Sequence, residues 1–252
     1  MTDLILGVGE VGGTIFDLLA ERGFGCTGAD ADPSKCRNCS DMAHGVQDAS
    51  AEYLHVCIPG GMSAFDHIVL DCISKCGDSL VAVLIHSTVR PGTAARLGAA
   101  CNVPVLSAPA RGVHRRFLKD MKRYTKFVAA DGDLSATVRA GVEARFKKMA
   151  WMSSTKTLEL AKILTDTTYY GWLISYAQLT KMICDAEGVD YDEMWEFARE
   201  PHEILGNRPK MYPGVIGGHC VIPNLDLVEY KELDVIRRIN EIYQDSERQA
   251  SE

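Results

Sequence analysis

A glycine turn joining an apolar run to an amphipathic stretch, a train of short apolar runs alternating with helical patterns, and one proline-free helical stretch from Thr157 to Glu187 predict an α/β protein. The sheet is expected to be doubly wound and mostly parallel. The long helix after it opens a small helical domain, so the expected boundaries are residues 1–156 and 157–252.

The first element rests on Leu4-Ile-Leu-Gly-Val-Gly-Glu-Val-Gly12, followed by the amphipathic Thr14 to Arg22. This reads as strand, turn and helix in the dinucleotide-binding pattern of a Rossmann fold. Gly7 permits the tight turn, Gly9 lets a pyrophosphate approach the backbone, and Gly12 allows close packing of the helix. Val8, Glu10 and Val11 complete the turn, and the anionic oxygens face the helix N-terminus. The second strand, Gly25-Cys-Thr-Gly-Ala-Asp30, ends in an acid eighteen residues after Gly12. A carboxylate there accepts hydrogen bonds from the ribose hydroxyls and repels a 2′-phosphate, which favours NAD over NADP. Lys35 and Arg37 stand close enough in sequence to favour the opposite choice.

Further strands are read at Tyr53–Ile58, Leu80–Ile85, Val103–Pro109, Thr125–Ala130 and Met149–Met152, with helices near Met62–Lys75 and Leu134–Phe146. Open parallel sheets bind ligands beyond the carboxyl ends of their strands, so Pro59, Ser87 and Thr88 are expected to border the cofactor. Ser-Thr followed by Pro-Gly also serves simply to end a strand and cap a helix. Helices are also expected from Asp192 to Arg199 and from Leu227 to Arg248.

Composition limits the partners. A chain 46% hydrophobic and 24% charged can bury a substantial core. Its net charge of −7 argues against nucleic acid or anionic membrane as a partner. With no basic leader and no apolar run of membrane-spanning length, the expected location is the cytoplasm. The nine cysteines are odd in number and lie mostly within predicted elements, so a disulfide framework is not expected. Cys36 and Cys39 have the spacing of a zinc pair but lack two further ligands nearby, and no metal is expected. Cys72 and Cys76, on one helix face, are expected to pack in the core.

Pro213-Gly-Val-Ile-Gly-Gly-His-Cys-Val-Ile-Pro223 places a cysteine directly after glycines and a histidine. Gly217 and Gly218 can leave the Cys220 thiol open to a substrate, although a cysteine among apolar residues also serves as a small core side chain. This segment resembles the cysteine loop of the UDP-glucose/GDP-mannose (nucleotide-sugar) dehydrogenases. Ser87-Thr-Val-Arg-Pro-Gly-Thr93 resembles the same family's segment in which the threonine neighbours the cofactor. The resemblance spans nearly all of this chain and about the first two-thirds of a typical relative. It implies a short form without the C-terminal domain that grips the UDP or GDP.

Within the resemblance, the long helix is a dimer core carrying a Lys-x-x-x-Asn pair. Lys162 and Asp166 stand at that spacing, with Asp in place of Asn, and an i,i+4 salt bridge is the plainer reading of the pair. The family's Ser-Pro-Glu is here Ala108-Pro109-Ala110, so the glutamate of the hydrolytic half-reaction is missing. Arg111, His114, Arg115 and Arg116 follow as candidates to meet an anionic group on a small-molecule substrate. The implied protein is an NAD-dependent oxidoreductase and homodimer, in which Cys220 traps an aldehyde while Lys162 and Asp166 handle charge and protons. Two alternatives stay open: an enzyme resembling hydroxyacid dehydrogenases that uses Lys162 without the thiol, and an NAD-binding regulator or partner subunit without catalysis.

Overall fold

A computed structural model of the chain describes residues 2–38, 51–113 and 116–250, which form two compact units, Met1–Lys162 and Ile163–Glu252. The first unit runs β1 (Thr2–Leu6), α1 (Glu10–Glu21), β2 (Gly25–Ala29), β3 (Tyr53–Val56), α2 (Phe65–Cys76), β4 (Ala82–Ile85) and α3 (Thr93–Ala99). It continues through β5 (Val105–Ser107), α4 (Phe117–Arg123), β6 (Lys126–Ala129), α5 (Ala136–Arg145), β7 (Met149–Met152) and α6 (Thr155–Ala161). The seven strands form one sheet in the order β2-β1-β3-β4-β5-β6-β7. All neighbours are parallel except β5 and β6, which meet at the single antiparallel pair Ser107 and Ala129. The doubly wound α/β expectation therefore holds.

Burial on both faces explains the apolar runs. β3 and β4 are buried throughout, as parallel strands covered by helices on either side must be. On one face Leu4, Leu54, Val56, Val83 and Ile85 meet Phe65, Val69 and Cys72 of α2, and Cys76 is buried in the same core. On the other, Ile5 packs with Ile15 and Leu19 of α1, while Leu84, Leu106 and Val128 pack with Val138 and Val142 of α5.

The second unit contains α7 (Tyr169–Glu187), α8 (Tyr191–Glu196), α9 (Arg199–Leu205), α10 (Val221–Leu225) and α11 (Asp234–Ala250). The long helix expected from Thr157 to Glu187 is present, and within it Lys162–Thr168, between α6 and α7, is π-helical. Helical periodicity cannot reveal this, because a π turn keeps its residues helical and only shifts the hydrogen bonding by one. The last helix begins at Asp234 rather than Leu227, since Leu227 and Val228 are buried in a bend and Glu229 takes a left-handed φ of 52°.

Candidate functional site

Four loops meet at the carboxyl ends of neighbouring strands β2, β1, β3 and β4. In the first, Gly7 has φ 89°, and a Cβ there would stand 2.9 Å from Ile58 Cγ2. A Cβ on Gly12 would fall on the Gly7 carbonyl, so only glycine lets α1 start against β1. Gly9, which precedes α1, faces open space: nothing lies within 4 Å of where its Cβ would be. The glycines thus divide as turn, approach and packing, and the approach position is the one left clear for an anion at the α1 N-terminus.

Asp30 follows β2 and is half-buried. Its two carboxylate oxygens accept hydrogen bonds from the backbone N–H groups of Val8, at 2.7 Å, and Asp32, at 2.9 Å. It therefore fixes the glycine turn, and each oxygen keeps a second lone pair. Arg37 is drawn off to Asp17 at 2.7 Å and lies over the Phe16 ring, while Lys35 pairs with Asp32 at 3.4 Å. Neither arrangement requires a 2′-phosphate.

The loops after β3 and β4 interlock. Ser87 donates its hydroxyl to the Ile58 carbonyl at 2.6 Å, and Gly60 packs so tightly on Thr88 that a Cβ would lie 2.1 Å from its carbonyl oxygen. Pro59 is exposed beside them and Thr88 is half-buried. Behind this loop the chain enters α3 through Gly92, which makes no side-chain cap hydrogen bond, so Ser87 and Thr88 do not cap the helix. Glu159 of α6, which the sequence reading passed over, is buried and accepts hydrogen bonds from Gly92 N–H at 2.6 Å and Ala94 N–H at 2.9 Å. Burial raises its pKa against the opposing pull of these amides. Its carboxylate at a helix N-terminus ties α6 to the loop. An acid three residues before Lys162 was the available signal.

The candidate anion contacts are committed elsewhere. Arg111 donates to the Thr125 carbonyl at 2.7 Å and lies over Phe127, and Arg116 pairs with Asp120 at 3.0 Å. His114, Arg115 and Cys39 lie outside the described residues. Cys36 is half-buried with its sulfur 3.5 Å from the Asp30 carbonyl.

In the second unit, the cysteine loop is anchored on both sides of Cys220. Before it, Asn240 of α11 accepts from Ile216 N–H at 2.7 Å and donates to the Ile216 carbonyl at 3.0 Å, with Gln178 of α7 donating to the same Asn240 oxygen at 2.9 Å. After it, α10 docks on α7 where Gly171 lies: a Cβ there would stand 2.5 Å from Val221. Asn224 also reaches Thr167 of the π segment at 3.3 Å. Cys220, half-buried, is the residue from which α10 starts. Lys162, the half-buried last residue of the first unit, and Asp166, exposed in the second, both belong to the π segment. Such segments recur at functional sites.

No protein-family model matches the sequence, and no curated protein matches it. Solved structures do resemble the fold. The UDP-D-ManNAc dehydrogenase of Pyrococcus horikoshii superposes with a TM-score of 0.80 at 18% identity, covering 96% of this chain and 69% of that one. The UDP-glucose dehydrogenase of Pyrobaculum islandicum gives 0.75 at 17%, covering 96% and 68%. The 3-hydroxyisobutyrate dehydrogenase of Mycobacterium tuberculosis gives 0.65 at 16%, covering 97% and 92%. At these identities the likeness establishes the shared fold.

Proposed function

We propose that this chain is an NAD-dependent dehydrogenase acting on a CH–OH donor, in the manner of the UDP-sugar dehydrogenases whose fold it resembles. The observation that carries the reading is the cradle at the strand ends: Gly9 open in front of α1, Gly7 and Gly12 without room for a Cβ, and Asp30 bonded to the turn it faces. Backbone N–H groups at the start of α1 hold the pyrophosphate, and Asp30 accepts from the adenosine ribose and repels a 2′-phosphate. The bound nicotinamide supplies the hydride acceptor.

The chain's own residues supply the remaining roles. Cys220 is the nucleophile: its thiolate adds to an aldehyde carbonyl to form a thiohemiacetal, and the carbonyl oxygen takes up the proton. Lys162 offers a positive charge to the developing alkoxide. Asp166, which cannot donate a hydrogen bond while ionised, takes the part of a base or orients Lys162. The substrate is a small molecule, and the enzyme acts as a homodimer joined through α7.

A second reading, in which Lys162 acts without the thiol, is favoured by the likeness to 3-hydroxyisobutyrate dehydrogenase, which spans nearly the whole of both chains. Steady-state assays of Cys220→Ser with alcohol and aldehyde substrates separate the two. The thiol route predicts a loss of aldehyde oxidation of about 100-fold or more. Unchanged rates in Cys220→Ser, with activity lost in Lys162→Met, place the chemistry on Lys162 alone.

A further inference from the structure

A buried polar chain crosses the sheet of the first unit. Asp3 on β1 accepts a fork from Arg145 at 2.8 and 2.6 Å and lies 3.1 Å from His55 Nε2. His55 Nδ1 is 2.9 Å from His86 Nε2, and His86 Nδ1 is 2.9 Å from Lys126 Nζ, which also lies within hydrogen-bond reach of the carbonyls of Ala108 and Pro109, so that a neutral amine supplies two of these three bonds and an ammonium all three. Asp3 sets the direction. Its carboxylate requires a proton on His55 Nε2, so His55 Nδ1 accepts from His86 Nε2–H and His86 Nδ1 accepts from Lys126. The opposite tautomers would let His86 donate to Ala108, 2.8 Å away, but would turn a His55 lone pair onto the carboxylate. Burial keeps both imidazoles neutral.

Lys126 and Arg145 both border a cavity of about 260 Å³ at the C-terminal end of α1. Arg22, Lys122, Lys147 and Lys148 share that wall, and Glu21 is its one acid. Glu21 is taken by Lys122 at 2.7 Å, and Arg145 is balanced by Asp3. Arg22 donates to a neutral acceptor, the Ala144 carbonyl, at 2.8 Å, while Lys147 and Lys148 are exposed. Excess positive charge therefore surrounds an opening otherwise walled by Leu18, Met121, Tyr124 and Phe146. A cavity of roughly 150 Å³ is enough to admit benzene, so this one has room for a ring bearing two carboxylates.

We propose that this cavity binds a small organic polyanion, an apolar body carrying two or more carboxylate or phosphate groups, and that Lys126 takes up a proton as the anion enters. Lys126 is faced by His86, by the carbonyls after β5, by Cys57 after β3, and by the cations Arg111 and Lys162, with the Phe146 ring 5.5 Å away. Burial first, then the two cations against the opposing influence of Cys57, brings its amine to about 7. An anion nearby favours the charged form, so binding and protonation reinforce each other. The glycine cradle lies at the other end of α1, about 18 Å away for a twelve-residue helix. The inference does not rest on the dehydrogenase reading.

Isothermal titration of the full chain with isophthalate, an aromatic dicarboxylate fully ionised between about pH 6 and 8, tests it. The expected result is submillimolar affinity near pH 6, weaker by about five- to tenfold near pH 8. Lys147→Glu with Lys148→Glu should weaken binding more than about tenfold at unchanged circular dichroism. Lys126→Met should abolish the pH dependence. Failure to bind, or binding indifferent to the Lys147 and Lys148 changes, overturns the site. Equal affinity at the two pH values in the unaltered protein overturns the proton uptake.

Discussion

At the scale of single residues, Asp30 does two things that a motif match would count as one. It holds the glycine turn through Val8 N–H, and in the function proposed above it is the acceptor that selects the unphosphorylated cofactor. Asp30→Asn keeps most of the shape while losing the charge, so it should bind NAD about tenfold more weakly and narrow the preference over NADP, read by calorimetry. Tighter binding of NADP by the unaltered protein would instead give the deciding role to Lys35 or Arg37. Lys126 makes a different kind of prediction. Its amine titrates near 7 in the folded chain and near 10.5 when unfolded, so between those values the unfolded chain holds the extra proton. The stability from the neutral amine is complete above 10.5 and lost as pH falls to 7. Because Cys57, pushed up to about 12 by burial, acts oppositely at high pH, the comparison is best made with Lys126→Met. The stability of the unaltered protein relative to this variant should rise by about 1 kcal/mol per pH unit from about pH 7.5 to 9, measured by urea unfolding. A difference independent of pH would mean that Lys126 keeps its ordinary pKa. The glycines and Asp30 were legible in the sequence because backbone torsion and strand ends leave a local signature. Asp3, His55, His86, Lys126 and Arg145 left none, since their chain exists only once five distant segments share one sheet face.

At the scale of elements, the central strands β3, β4 and β5 were readable because burial on both faces demands continuous apolar runs. The short helices α3, α4, α9 and α10 were not, since five to seven residues carry too few turns for a period to appear. The π segment was hidden for the same kind of reason. Gly171 inside α7 is explained by Val221: α10 approaches α7 so closely that no side chain fits between them. The closeness sets the position of Cys220, one residue before Val221. Gly171→Ala should therefore cost about 1–3 kcal/mol by overpacking, despite alanine's better helix propensity. It should also lower thiol-dependent turnover, read from the rate of Cys220 alkylation and from kcat. A variant as stable and as reactive as the parent would show that α10 yields without moving the cysteine.

At the scale of the whole molecule, the long helix carries more apolar surface than its own unit covers. Tyr169, Trp172, Tyr176, Leu179 and Ile183 of α7 are all exposed, and their successive intervals are three, four, three and four residues. That alternation draws one continuous stripe along a helix and is the seam by which helices pair. From Tyr169 to Ile183 the stripe is about 21 Å long, enough for four turns to interlock with a twin. A second copy of this chain is the economical occupant, because a two-fold pair buries the same stripe of both copies at once. We predict a homodimer at micromolar concentration. Light scattering should return twice the chain mass, and Trp172→Glu with Tyr176→Glu should return the single mass while leaving the sheet unit folded, since both residues are exposed in the chain alone. The affinity of the variant for NAD should be unchanged, because the cradle is built from the first unit only. A single mass for the unaltered protein would sink the dimer and leave the stripe for another covering.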